Sequence, residues 1–430
     1  MKNWFSEMKD FLLLWFGQTA SQLGSRMTSF ALVLFSYTTT GSAMSLALLS
    51  MSAYLPEILF TFLGGSVADR WNRKTLMLAS DLVAALGTLS ILLLHQADAL
   101  QTWHLYLINL IVGMMNAFQA PAANAALSQI IPPRHYARAS GMQSLSNSLC
   151  TLACPALAAA VSGIGGLQAV LYIDLITFAI GAGMLLFFVR IPALPAAKEK
   201  EARGGTLEGF RFLRSERPAL LRLILFFAFI NLLASISGNG LMPAMVLART
   251  AGDELALGTV SSCMGLGTLI GSLIATALPQ PRRPLRLIFL CCACSFAMAD
   301  LIWGMGRSVW IWCAGAILGY LPLPVLNANL NALMRSQVPM ERQGRVFAAQ
   351  SSLQYCTIPA GFLLGGWLCD SVMEPLMASG SALAQFFEPL VGSGTGSGVA
   401  LVFLFTGLIG VVSNLLEMRV RIYAQLECHS

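Results

Sequence analysis

The chain has 430 residues, of which 56% are hydrophobic and only 11% are charged. Soluble globular proteins carry about 25% charged residues, and so few charges cannot cover the surface of a soluble protein of this size. The composition argues against a cytosolic enzyme, a disordered chain and a nucleic-acid-binding protein, and it predicts a protein embedded in lipid. Most of the ten cysteines lie in apolar runs, which indicates free thiols rather than a disulfide framework.

About 20 apolar residues in a helix cross a bilayer, and the sequence offers twelve such stretches. The predicted spans are 11–37, 43–68, 75–95, 103–129, 139–161, 168–190, 219–246, 257–279, 287–305, 310–334, 346–369 and 399–420. The first stretch is too long for a signal peptide and lacks a small-residue cleavage site, so we expect it to remain a span. The predicted fold class is therefore an all-α membrane protein.

The basic residues predict the orientation of the spans. With both termini placed in the cytoplasm, all but three of the 26 Lys and Arg residues fall in cytoplasmic segments or the adjoining helix ends. The exceptions are Arg26 inside the first span and Arg249 and Arg307 in outside loops. The positive-inside rule thus predicts twelve passes with both termini cytoplasmic, and the net charge of +6 requires no nucleic-acid partner.

The longest cytoplasmic segment divides the spans six and six. The predicted organisation is an N-terminal six-helix bundle at 1–190, a cytoplasmic linker at 191–218 and a C-terminal six-helix bundle at 219–430. Four apolar residues give the linker an amphipathic segment that we expect on the inner membrane surface, namely Leu207, Phe210, Phe212 and Leu213. The outside loop 371–398 ends in a glycine-serine run and is predicted to be flexible.

The two halves of the sequence resemble each other. At an offset of 207, Asn124, Pro132, Arg138, Gln143 and Ser144 recur as Asn331, Pro339, Arg345, Gln350 and Ser351. A second register, at an offset of 213, aligns polar residues of span one with polar residues of span seven. Two pseudo-symmetric bundles in the same orientation are an architecture of secondary transporters, whose substrate path lies near the membrane midplane.

Ionisable residues inside spans are candidates for function, because they are costly in lipid. Arg26 and Glu57 lie equally far from the predicted turn at Gly41, about 23 Å along their helices, so they are predicted to face each other. Protonation of Glu57 beside Arg26 would couple transport to protons, whereas a static pair would only join two helices. Asp81 is a third proton-coupling candidate, with structural pairing to Arg70 or Arg73 as the alternative. Asp174 on span six and Asp300 on span nine are expected to have structural roles, as pairing or capping groups.

Polar side chains also recur at helical spacing on four spans. Facing lipid, they would lack hydrogen-bond partners, so they are predicted to line a substrate cavity or to join helices. These residues are Gln18, Gln22 and Arg26 on span one, Asn109, Asn116 and Gln119 on span four, Asn231, Ser235 and Asn239 on span seven, and Asn327 and Asn331 on span ten.

Motifs of enzymes are missing from the sequence. It contains no phosphate-binding loop, no HExxH zinc motif and no GxSxG nucleophile elbow, and its four histidines lie at helix ends, in loops and in the tail. We therefore expect no enzymatic activity, no cofactor and no metal site. Since no ATPase site is present, active transport would draw on an ion gradient, and a channel is the remaining alternative.

The loop after span two reads Gly64-Gly65-Ser66-Val67-Ala68-Asp69-Arg70-Trp71-Asn72-Arg73-Lys74. It resembles the signature loop of the major facilitator superfamily between its second and third helices. The resemblance implies that Gly65, Asp69, Arg70, Arg73 and Lys74 form a cytoplasmic latch that opens during transport. Asn72 stands where the family has glycine, and we expect asparagine to keep a left-handed turn there.

Further segments resemble one branch of this superfamily. They are Leu14 to Gln18, Leu23 to Ser25, Tyr172 to Phe178, and Cys369 to Pro375 before the glycine-rich outer loop. The branch contains macrolide efflux pumps and the enterobactin exporter, drug:proton antiporters of the bacterial cytoplasmic membrane with a role in antibiotic resistance. The resemblance implies a protein, for which a monomer suffices, that exports amphipathic small molecules in exchange for protons. A siderophore exporter, a lysophospholipid flippase, a uniporter and a non-transporting sensor are the alternatives.

Overall fold

The computed structural model describes residues 7–70, 72–131, 135–189, 206–238, 241–278, 281, 283–339 and 342–423. The backbone without the side chains is described at 61–70, 124–125, 128, 136–138, 140, 206–208, 344–345 and 421. Every regular element within these residues is a helix, which confirms the predicted all-α class. The cysteines among them are all free thiols.

The first unit comprises Met1–Gly41 and Leu48–Lys198. Its helices are α1 (Lys9–Thr40), α2 (Ala43–Arg70), α3 (Arg73–Gln96), α4 (Thr102–Ile130) and α5 (Tyr136–Gly183). Helix α5 is broken at Gly166, whose φ of 65° and ψ of −169° are readily reached only by glycine. The break divides α5 into two limbs, and a π-helical turn, Met184–Phe188, extends the second limb.

The second unit comprises Ser42–Ala47, which includes the first residues of α2, and Glu199–Ser430. Its helices are α6 (Thr206–Ser215), α7 (Pro218–Ser237), α8 (Leu241–Arg249), α9 (Glu254–Ala277), α10 (Pro284–Phe296), α11 (Ile302–Met305), α12 (Val309–Tyr320), α13 (Pro322–Gln337), α14 (Gln343–Tyr355), α15 (Ile358–Leu368), α16 (Glu374–Ala378), α17 (Ala382–Val391) and α18 (Ser397–Glu417). The π-helical turns Ala297–Leu301 and Cys369–Met373 join α10 to α11 and α15 to α16. A 3₁₀ turn, Arg421–Tyr423, follows α18.

The described helices account for the twelve predicted passes. Ten helical stretches are long and apolar enough to cross a membrane, and one of them, Gly141–Phe188, has 48 residues. At 1.5 Å per residue this stretch measures about 72 Å, so its two limbs cross separately. Helix α1 supplies the remaining pass, because its 32 residues suffice although a polar stripe lowers its hydropathy. Each unit therefore contains six passes within the described part of the chain.

Local sequence explains where the first helices end. Gly41 ends α1 with a φ of 63° and donates its backbone N–H to Tyr37 O at 2.7 Å, so the first turn lies where it was predicted. Asn72 has an extended backbone with a φ of −65°, which corrects the expected left-handed turn. Its side chain accepts hydrogen bonds from the backbone N–H groups of Lys74 (3.0 Å) and Thr75 (3.4 Å). Asparagine therefore serves here as the N-cap of α3.

The amphipathic segment of the linker forms α6. Its Phe212 and Leu213 are buried in the hydrophobic core of the second unit, and the Arg342 guanidinium lies 5.3 Å from the centre of the Phe212 ring. Phe212 and Leu213 therefore pack against protein, whereas the expected position of the segment at the inner membrane surface stays a prediction. The remainder of the linker, 191–205, lies outside the described residues.

The outer loop that was predicted to be flexible contains α16 and α17. Two arginines hold the C-terminal end of α17, where backbone carbonyl groups lack helical partners. Arg249 donates to Val391 O and, at 2.8 Å, to Gly306 O, while Arg307 donates to Pro389 O at 2.9 Å. The two basic residues that the orientation analysis placed outside thus stabilise this helix.

A buried carboxylate joins three helices of the first unit. Asp174, on the second limb of α5, accepts hydrogen bonds from Ser25 Oγ of α1 (3.2 Å) and Thr88 Oγ1 of α3 (2.8 Å). The same helices form an apolar core that includes Met27, Ile91 and Leu171. The expectation of a structural role for Asp174 agrees with these contacts, since each hydroxyl group provides a partner that lipid cannot.

The crossing of α2 and α4 predicts a stability effect. An added Cβ at Gly113 would lie 2.2 Å from Ala53 O, whereas a Cβ at Gly141 would meet no heavy atom within 4 Å. We expect Gly113→Ala to destabilise the protein by about 1–3 kcal/mol, because overpacking forces the backbones apart. Gly141→Ala should be neutral or slightly stabilising. Thermal unfolding of the purified variants in detergent checks this, and equal midpoints would contradict the close crossing.

The Asp174 contacts predict a second effect. Asp174→Ala should destabilise the protein by about 2 kcal/mol, because it leaves the hydroxyls of Ser25 and Thr88 without their acceptor. Adding Thr88→Val should recover part of the loss, since it removes one of the stranded groups. Thermal unfolding of the single and double variants measures the coupling. Strictly additive effects would show that the two side chains do not depend on each other.

Candidate functional site

Helices α1 to α5 enclose a cavity of about 600 Å³ in the first unit. Most of the polar residues predicted on the first and fourth spans line it, and so do all three predicted proton-coupling residues. They are Gln18, Gln22, Arg26, Asn116 and Gln119, with Glu57 and Asp81. Asn109 of α4 is not among the lining residues. The helical spacing of the polar residues therefore located a cavity, although it did not distinguish Asn109 from its neighbours.

Asp81 is held by two neutral amides. Gln18 Nε2 of α1 donates to Asp81 Oδ2 at 3.4 Å, and Gln119 Nε2 of α4 donates to Asp81 Oδ1. Asp81 is only 6% exposed, so the two amides provide the hydrogen bonds that water would otherwise donate to its carboxylate. The expected structural partners were Arg70, whose side chain lies outside the described residues, and Arg73; the observed partners are instead the cavity-lining glutamines.

Arg26 is bonded to α5. Its Nη1 donates to Thr151 Oγ1 at 2.7 Å, and the ion pairs that the structure records between described side chains do not join Arg26 to Glu57. Both residues nevertheless line the same cavity. Their equal distance from the first turn thus agrees with the position of the two residues at one cavity. The guanidinium of Arg26 is held there by Thr151 of α5.

A polar stripe on the first limb of α5 was missed by the sequence analysis. It runs beside the stripe on α1: Thr19 and Ser146 share a hydrogen bond of 3.0 Å, and Gln22 Nε2 donates to Asn147 Oδ1 at 3.0 Å. Trp15 Nε1 donates to Met142 O at 3.1 Å. The spacing of Asn147 and Thr151, four residues apart on one helical face, was the available signal. The stripe on α1 both lines the cavity and joins α1 to α5.

The signature loop is described in part. Lys74 Nζ donates to Leu186 O and Val189 O, both at 2.9 Å, and so binds the carbonyl end of the π-helical turn after α5. Arg73 is the first residue of α3. Gly65, Asp69 and Arg70 are described by their backbone alone. Among the described contacts, Lys74 therefore secures a helix end of the first unit.

A smaller cavity of about 300 Å³ lies within the second unit. Asn231 and Asn327 line it as predicted, and Asn231 Nδ2 also donates to Gln354 O at 3.1 Å. Ser235 is instead buried against α15, where a Cβ at Gly361 would come within 2.6 Å of Ser235 Cβ. Asn331 is exposed but is not among the lining residues, and Asn239 lies outside the described residues.

The second cavity contains the carboxylate of Asp300, for which the sequence favours a structural role. Asp300 lines it from the π-helical turn between α10 and α11 and accepts a hydrogen bond from Thr406 Oγ1 of α18 at 3.1 Å. Across the described residues, no group of three or more His, Cys, Asp or Glu side chains could hold a metal ion.

Known proteins resemble this chain in sequence or in fold. Macrolide efflux protein A of Streptococcus pyogenes is 25% identical over 369 residues, which cover 84% of this chain and 90% of that protein. Multidrug efflux pump Tap of Mycolicibacterium fortuitum is 24% identical over 375 residues, covering 84% and 89%. A bacterial homolog of the human lysosomal transporter Spinster, solved in an inward-facing conformation, aligns with a TM-score of 0.63 at 17% identity over 98% of this chain and 97% of that one.

A transporter of the POT family in complex with 5-aminolevulinic acid aligns with a TM-score of 0.70 at 14% identity, covering 96% of each chain. At these identities the solved structures establish the fold alone. The sequence model of the Major Facilitator Superfamily matches residues 14–362. The chain is a multi-pass membrane protein and belongs to the Major Facilitator Superfamily of transporters.

Proposed function

We propose that this transporter exports amphipathic small molecules from the bacterial cytoplasm in exchange for protons, by alternating between inward-open and outward-open states. Its similarity to proteins named for macrolide and multidrug efflux supports the direction and the substrate class. The placement of Lys and Arg residues supports a cytoplasmic-membrane topology with both termini inside. The cavity of the first unit supplies both polar groups and apolar side chains for such substrates.

The hydrogen bonding of Asp81 carries the proposal of proton coupling. Its recorded partners are the neutral amides of Gln18 and Gln119. Protonating a carboxylate in a buried ion pair strands an unpaired cation, which is strongly unfavourable. Protonating Asp81 leaves no cation without its partner. The carboxylate of Asp81 can therefore gain or lose a proton while the helices stay packed. Asp81 is therefore our first coupling residue.

Glu57 is the second coupling residue, and Arg26 is the charge that responds to it. Arg26, Glu57 and Asp81 line one cavity. The charge on either carboxylate therefore attracts the guanidinium of Arg26. A proton bound at Glu57 weakens the attraction on Arg26. The guanidinium, which its hydrogen bond to Thr151 orients, is then more available to an anionic or polar part of the substrate.

Substrate contacts are assigned to the polar residues that line the two cavities. In the first unit these are Gln22 and Asn116, which share their cavity with the coupling residues. In the second unit they are Asn231 and Asn327. Gly65, Asp69, Arg70 and Arg73 of the signature loop are proposed to form the cytoplasmic latch, while Lys74 secures the end of the π-helical turn after α5.

Proton flux in liposomes tests this function. Purified protein is reconstituted with an internal pH dye under an imposed pH gradient, and a macrolide, a catechol siderophore and a lysophospholipid are added in turn. We expect the macrolide to drive proton movement, and Asp81→Asn and Glu57→Gln to reduce that flux at least tenfold. Asp98→Asn and Glu388→Gln are matched controls, because both residues are exposed and line neither cavity. Flux that persists in both cavity variants would overturn the coupling proposal.

Exchange of labelled substrate without a gradient separates coupling from binding. A variant that has lost only coupling should still exchange labelled for unlabelled macrolide across the membrane, because this exchange needs the cavity but no net proton movement. We expect Asp81→Asn to retain this exchange within about threefold of the wild type, since asparagine keeps the size of aspartate. Loss of exchange together with flux would assign Asp81 to substrate binding instead.

A further inference from the structure

The cavity of the second unit has an unusual distribution of charge. Asp300 is the one carboxylate among its lining residues, and those described residues include no Lys, Arg or His. The side chain is only 7% exposed. A buried carboxylate without a cationic partner is costly, so the site favours any ligand that brings a positive charge.

The backbone at Asp300 is specialised. Residues 297–301 form a π-helical turn inside a membrane-spanning helix, a distortion that is frequent at functional sites. Helix α18 approaches closely, since a Cβ at Gly407 would lie 3.0 Å from Asp300 Cβ. Thr406 of that helix donates a hydrogen bond to Oδ1. The carboxylate is thus fixed in position beside the cavity rather than free to turn toward water.

The other titratable groups around Asp300 are uncharged in their ordinary forms. These groups are Cys292 of α10, Tyr320 of α12 and Tyr355 of α14, and all three line the same cavity as Asp300. The remaining polar lining residues are amides and hydroxyls, which include Asn231 and Ser237 of α7. None of these groups supplies the positive charge that would neutralise the carboxylate.

Aromatic side chains form much of the cavity wall: Phe227, Phe296, Trp303, Tyr320 and Tyr355. Trp303 is fixed by a hydrogen bond from Nε1 to Trp312 O at 2.9 Å and by an edge-to-face contact with Phe403, with ring centres 5.5 Å apart. Organic ammonium groups bind to the faces of aromatic rings through the ring quadrupole. A carboxylate beside such rings provides both the charge and the weakly hydrated surface that an ammonium group prefers.

We propose that the Asp300 cavity is a binding site for an organic ammonium group. The inference deepens the proposed function and rests on it for the site's role in transport, because it assigns the exported substrates a positively charged nitrogen. Binding itself requires no transport. At about 300 Å³ the cavity admits a substituted ammonium group with its adjoining carbons, while the rest of a larger substrate stays outside.

A pair of isosteric probes tests this site. One probe is a dansyl sulfonamide whose propyl arm ends in trimethylammonium, and the other ends the same arm in a neutral tert-butyl group. Binding to the full-length protein in lipid nanodiscs is measured by fluorescence anisotropy. We expect the wild type to bind the ammonium probe at least tenfold more tightly than the neutral probe, a difference of about 1.4 kcal/mol.

Variants locate the preference. Asp300→Asn should abolish the tenfold difference and leave the affinity for the neutral probe unchanged, while Asp300→Glu should retain part of it. Asp253→Asn is the matched control in the same unit, because Asp253 caps α9 away from the cavity and asparagine caps equally well. If Asp300→Asn does not fold, Tyr355→Leu is tested in its place. Tyr355 is 48% exposed, so we expect this variant to fold and to show a smaller preference for the ammonium probe.

Two results would overturn the proposal that this cavity binds an ammonium group. If Asp300→Asn keeps the preference for the ammonium probe, the cavity does not bind the cation, as would be the case if Asp300 carried only a proton. If both probes lose affinity equally, Asp300 has only a structural role. Selective binding without proton-driven efflux would instead overturn the proposed antiport and leave the ammonium site intact.

Discussion

The structure depends on one constraint: a polar group inside a membrane-spanning helix must find its partner within the protein. The chain meets it with carboxylates bonded to neutral side chains. Asp174 is bonded to Ser25 and Thr88, and Asp300 is bonded to Thr406. These bonds join helices that are distant in sequence. No buried cation takes part in these bonds, so the cost of desolvating a cation does not reduce the stability that they provide.

The two units repeat this interaction with the roles exchanged. In the first unit the sixth pass supplies the carboxylate, Asp174, and the third pass supplies the hydroxyl of Thr88. In the second unit the third pass supplies Asp300 and the sixth supplies Thr406. An alignment of the halves by residue type cannot detect such a pair, because the aspartate and the threonine are exchanged between the passes. What the repeat preserves is the hydrogen bond between two helices.

The twelve passes and the cavity-lining stripe on α1 could be predicted from the sequence because they follow from hydropathy and helical periodicity. The partners of that stripe could not, because the spacing of Asn147 and Thr151 indicates a polar face on α5 but not that this face lies against α1. The same limit applies to α6, since periodicity reveals an apolar face but not whether lipid or protein covers it. The π-helical turn at Asp300 leaves no sequence signal at all.

The two cavities differ in charge although the bundles are repeats. The first contains the single cation Arg26 together with the carboxylates of Glu57, Asp81 and Asp174. The second contains Asp300 and no cation among its described lining residues, so its charge is balanced only by what it binds. Chemistry of the first kind suits a proton site, and chemistry of the second kind suits a cationic ligand. Under the proposed antiport, this divergence of the halves would separate the coupling proton from the positively charged part of the substrate, so that the two would not compete for the same carboxylate.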